Sequence, residues 1–147
     1  MWRFLALGLL LPLIAAADDW VEYKTGAFEV WTNANQRDAR IILNHLEQVR
    51  HVLGQTVKQD EIKPVWPVRV LVMRNARPLA PVPARDTYIS VLDSRAPIPR
   101  EWMAQLVRIL IEDGARRMPP DIEAGLIAFY STTDVNGVRV TRARLSA

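Results

Sequence analysis

The chain has 147 residues, half of them apolar, no cysteine, two histidines and a formal net charge of +3. Such a composition belongs to a folded protein of one domain and not to a disordered segment. It excludes disulfides, thiolate chemistry and cysteine-held zinc or iron–sulfur sites, and any histidine site must draw on His45 or His51.

The amino terminus carries a short positive start at Arg3, an apolar run from Phe4 to Ile14 and small residues at Ala15 and Ala17. That order is a Sec-type signal peptide with cleavage after Ala17. The run is shorter than the ~20 residues of a membrane-spanning helix. No cysteine follows it to carry a lipid, so a periplasmic or secreted product without a stable membrane span is expected. Removing 17 residues from 147 leaves 130, and loss of Arg3 lowers the net charge from +3 to +2. The remaining arginines are interleaved with acids and form no basic stripe, which gives nucleic-acid binding no support.

An α+β fold is predicted. Residues Trp20 to Lys24 and Ala27 to Trp31 alternate apolar and polar around Thr25-Gly26, the pattern of an antiparallel hairpin. Ile42, Leu46, Val49, Val52 and Leu53 then recur at helical spacing, with Asn33 or Asn35 as cap and Gly54 near the end of a long amphipathic helix. Both histidines lie on it, six residues apart and so on different faces, where metal ligands need a spacing of three or four. Two further strands are read at Val68 to Met73, entered through Pro64 and Pro67, and at Thr87 to Leu92. The Pro- and Arg-rich stretch from Asn75 to Arg85 between them reads as a loop. A second helix follows with Trp102, Leu106, Ile109 and Leu110 on one face, stopped by Gly114. A third opens at Pro119-Pro120-Asp121 and runs through Ile122, Leu126, Ile127, Phe129 and Tyr130. Val135-Asn136-Gly137-Val138 carries the Asn-Gly signal of a closing hairpin, with Val138 and Val140 in its second strand. The aromatic residues Trp20, Trp31, Trp66, Trp102, Phe129 and Tyr130 are expected in the core or covering the sheet.

The stretch R-M-P-P-D-I-E-A-G-L-I-A-F-Y-S-T, Arg117 to Thr132, resembles the segment after the zinc helix of gluzincin-type metallopeptidases of the peptidase MA-like group. There it reads approximately L-P-x-W-L-x-E-G-L-A-E-F-Y-S-T. Pro119, Gly125-Leu126 and Phe129 to Thr132 anchor the resemblance, which extends over the chain from Trp20 and points to secreted bacterial proteins often followed by tetratricopeptide repeats. The two carboxy-terminal helices then correspond to the zincin active-site pair. The family site joins an H-E-x-x-H helix, whose Glu activates the metal-bound water, to a Glu ligand on the next helix.

Carried over from these anchors, the two histidine positions fall on Ala104 and Arg108, the general base on Gln105, the third ligand on Ala124 and the family tryptophan on Asp121. Alanine has no donor atom, arginine stays cationic, and glutamine cannot take a proton. No change of register supplies a ligand, because no histidine follows His51. The resemblance thus implies a domain with a degenerate zinc motif: no metal, no cofactor and no catalytic residue at Ala104, Gln105, Arg108 and Ala124, with Arg108 standing as a fixed charge in the metal position. Arg108 and Glu112, at i and i+4, are placed to pair. Glu101, Glu112, Asp113, Asp121 and Glu123 do not have the spacing of a calcium loop. Ser90, Ser94, Ser131 and Ser146 lack a G-x-S-x-G setting, and no glycine-rich phosphate loop is present.

The expected role is structural or binding, with a peptide or an envelope protein as partner and strand-edge pairing as one route. Alternative readings are an enzyme of another type using acidic residues, and a truncated remnant of a zinc peptidase, since the resemblance implies relatives that continue beyond Ala147. On the leading reading, residues 18–147 form one peptidase-like domain.

Overall fold

The computed structural model describes residues 19–132, 134–136 and 139–141. The expected signal peptide at residues 1–17, and Gly137 and Val138 of the expected closing hairpin, lie outside them. The chain runs β1 (Val21–Lys24), β2 (Phe28–Thr32), α1 (Gln36–Thr56), β3 (Val68–Met73), β4 (Leu79–Ala84), β5 (Thr87–Asp93), α2 (Arg100–Gly114), α3 (Pro120–Ser131), β6 (Asp134–Asn136) and β7 (Arg139–Thr141).

The first five strands form one mixed sheet in the order β1-β2-β3-β5-β4. β1 and β2 are the antiparallel hairpin that alternation predicts. β2, β3 and β5 are parallel, and α1 supplies the long crossover that joining β2 to β3 demands. β4 returns antiparallel outside β5 and forms one edge of the sheet, with β1 at the other. β6 and β7 pair antiparallel, with Val135 opposite Val140.

Period-two burial gives the sheet a closed face and an open one. Phe28, Val68 and Tyr88 stand in register on the closed face, as do Val30, Val70 and Ser90, and Thr32, Val72 and Leu92. All nine are buried and meet the apolar stripes of α1 and α2. Leu46, Leu53, Leu106 and Leu110 are among the largest fully buried side chains there.

The open face carries Trp31, Leu71 and Val91 in one row and Glu29, Arg69 and Ile89 in the next. Arg69 donates from Nε and Nη2 to Glu29 Oε2 at 3.0 and 2.9 Å, and its guanidinium lies 5.9 Å from the Trp31 ring centroid. Burial pushes the Glu29 carboxyl upward, but the bonds and charge of Arg69, with Lys24 3.4 Å away, outweigh it and hold the group below its ordinary value.

One expectation about the elements needs correction. The stretch read as a loop from Asn75 to Arg85 contains β4, so three strands and not two follow α1 before α2. Its prolines, Pro81 and Pro83, mask the strand signal, and an edge tolerates them because only one side must donate. β3 starts directly after Pro67, as a strand entered through proline should, and lies between β2 and β5. The end of α1 falls close to Gly54 as expected: the helix runs to Thr56, and its end is made by Val57 and by Lys58 in the left-handed region at φ 55°. Gly54 is also a close-approach site, since a Cβ there would stand 2.9 Å from the Gln59 carbonyl oxygen.

The aromatic residues also divide. Trp102 and Tyr130 are buried, whereas Trp20, Trp66 and Phe129 are 42, 37 and 38% exposed. Trp66 precedes β3 and leans on the Tyr88 ring, and Phe129 sits on the outer side of α3, edge-on to Tyr130.

Candidate functional site

α2 begins at Arg100 behind Pro99 and α3 at Pro120 behind Pro119, prolines suiting positions where no helical N–H partner is lost. The short link through Met118 folds α3 back beside α2. The two helices border an open groove of about 580 Å³ whose walls include Arg100, Glu101, Ala104 and Arg108 from α2, and Glu123, Ala124, Ile127 and Ala128 from α3.

Three of the four positions singled out in sequence therefore meet at one cavity: Ala104, Arg108 and Ala124. Positions 104 and 108 share a face because four residues make one helical turn. Gln105 is not part of this lining; its Oε1 accepts a hydrogen bond from Arg108 Nη1 at 3.1 Å. That bond replaces the expected Arg108–Glu112 pair. Gln105 lies one turn before Arg108 and is half-buried, whereas Glu112 is exposed.

The lining mixes small apolar and charged side chains. Ala104, Ala124 and Ala128 leave space that a histidine or glutamate would fill. Arg100, Glu101, Arg108 and Glu123 stand around it, and none of them makes an ion pair with a described residue. Of the other carboxylates, Asp113 accepts a 2.6 Å hydrogen bond from Tyr88 Oη and so ties α2 to β5. Burial, then the bond to Asp113 and its charge, push the Tyr88 phenol up to about 12. No group of three or more His, Asp or Glu side chains able to hold a metal ion occurs among the described residues.

The histidines lie elsewhere. His51 is exposed, with Nε2 3.1 Å from Gln55 Nε2. His45, half-buried on another face of α1, lines a second cavity of about 500 Å³ bounded also by Ser94, Arg95, Arg100, Met103 and Ser131. Sequence reasoning did not find this second cavity, because its walls come from α1, the β5–α2 loop and the end of α3.

α3 is held at its far end. Tyr130 Oη lies 2.5 Å from Thr56 Oγ1 and reaches the Val52 carbonyl at 3.4 Å, which anchors the last turn of α3 to the last turn of α1. Comparison with known proteins returned no matching family model, no matching curated protein and no matching solved structure.

Proposed function

We propose that the chain is an exported, peptidase-like domain that has lost its zinc site and acts by binding, with a peptide or an envelope protein as its partner. The observation that carries this reading is the meeting of Ala104, Arg108 and Ala124 at one cavity between two antiparallel helices. A gluzincin needs side chains at these three places to hold its metal. Here two of them are methyl groups and the third is a permanent cation.

The α2–α3 groove is the binding surface in this reading. Strand addition along β4 is a poorer route, since Pro81 and Pro83 have no N–H and a ladder with β5 turns such residues outward. A peptide laid there would find acceptors without the alternating donors that strand pairing requires.

Two metal measurements test the ancestry and the loss together. The purified protein is expected to hold no zinc after dialysis, measured by plasma mass spectrometry; stoichiometric retained zinc would overturn the proposal. The combined variant Ala104→His, Gln105→Glu, Arg108→His, Ala124→Glu is expected to retain one zinc per chain. These positions are exposed or half-buried, so the fold should survive, which circular dichroism checks. A folded variant without zinc would show that the helices do not carry a former metal site.

A further inference from the structure

The second cavity lies between the first turns of α1, the loop from Ser94 to Pro99 and the start of α2. Ser94 closes β5, and its N–H donates to the Met73 carbonyl at 2.9 Å. Its residue lines the cavity at 8% exposure, and its Oγ, covered within the wall, has no hydrogen-bond partner among the described residues. Buried hydroxyls are normally paired, so an unpaired one at a cavity wall marks a place where a ligand atom completes the set.

Three further features at the same wall favour negative charge. Arg95 and Arg100 are exposed, and neither guanidinium makes an ion pair or a side-chain hydrogen bond with a described residue. The 15-residue helix α2 starts there, and its N-cap, Pro99, offers no side-chain acceptor to the first-turn N–H groups. Those groups and the helix dipole attract an anion. Asp93 Oδ1 takes the N–H groups of Arg95 at 2.8 Å and Ala96 at 3.3 Å, which fixes the loop without using the arginine side chains.

The rest of the wall selects among anions. Ile42, Ile98 and Met103 supply an aliphatic surface, and Asp38 from α1 opposes excess negative charge. A dianion such as phosphate would meet Asp38 with twice the repulsion and leave the aliphatic wall unfilled.

We propose that this cavity binds an organic carboxylate on an aliphatic stem. The carboxylate takes the two guanidiniums and the start of α2 and, once the Ser94 side chain turns toward the cavity, its hydroxyl; the stem lies on Ile42, Ile98 and Met103. The assignment does not depend on the peptidase ancestry. A free aliphatic acid and the carboxyl end of a peptide share this chemistry.

Titration of the isotopically labelled protein with hexanoate, followed by amide chemical shifts, is the test. Saturable shifts centred on Ser94, Arg95 and Arg100 are expected, with hexanamide at least about ten-fold weaker. Arg100→Gln should weaken hexanoate at least about ten-fold, and Asp38→Asn should strengthen it, a sign that a purely structural role would not produce. N-acetyl-leucine, compared with hexanoate, separates the two sources: a tighter fit for the former indicates a peptide carboxyl end, and the reverse a free acid. Equal binding of hexanoate and hexanamide, shifts centred elsewhere, the absence of saturation, or an Arg100→Gln variant that is folded and binds as before would each overturn the proposal.

Discussion

The two helices that border the first cavity are held in different ways. α2 buries Trp102, Met103, Leu106, Val107, Ile109, Leu110 and Ile111, while α3, the more apolar of the two, buries only Tyr130 and Ser131. The strong amphipathic stripe of α2 faces the sheet, and Tyr88 reaches its last turn through Asp113. α3 spreads its apolar residues around the helix, leaving Ile122 and Phe129 exposed, and relies on the end contact of Tyr130 with Thr56. One wall of the candidate site is thus part of the core and the other rests against it. Apolar content alone does not bury a helix; a one-sided arrangement does.

The largest effect expected from this contrast is on core packing. Leu106→Ala, at a position with no exposure, should destabilise by about 2–5 kcal/mol in urea unfolding. Leu126→Ala on half-buried α3 should cost clearly less, and equal losses would break the contrast.

A smaller and pH-dependent effect belongs to the tie between β5 and α2. Tyrosine in an unfolded chain ionises near 10, whereas folded Tyr88 is pushed up to about 12. The folded state keeps its proton through that window, so this contribution is complete below pH ~10 and is lost as pH rises toward ~12, at up to about 1.4 kcal/mol per unit. Tyr88→Phe should flatten the alkaline decline measured by thermal melts; an unchanged slope would remove the tie.

The smallest effect sharpens the picture of α3. Gly125 sits in mid-helix with nothing within 4 Å of an added Cβ. Gly125→Ala should raise stability by up to about 1 kcal/mol, as in an open helix. A loss in the same melt would mean that something packs closely on that face.

Much of the element list could be read from periodicity. The alternation at Val21 to Thr32, the helical spacing from Ile42 to Leu53 and the stripe through Trp102, Leu106 and Leu110 each state which side is buried. β4 escaped because Pro81 and Pro83 suppress strand character, and only its place at the edge, paired on one side to β5, makes them acceptable. The end of α1 was legible to within two residues from Gly54, although the left-handed residue that follows it is Lys58 and not a glycine. The outward placement of Trp66 and Phe129 escaped because hydrophobicity does not say which face a neighbour will cover.

The candidate site divides along the same line. That Ala104 and Arg108 share a face follows from four-residue spacing within one helix, a local property that sequence alone determines. That Ala124 lies across the same cavity, that Gln105 turns to Arg108, and that Ser94 joins Arg95, Arg100 and His45 around a second cavity were decided by the tertiary structure. Spacing along one helix is set by backbone geometry, but the meeting of separate elements depends on which faces must leave water together.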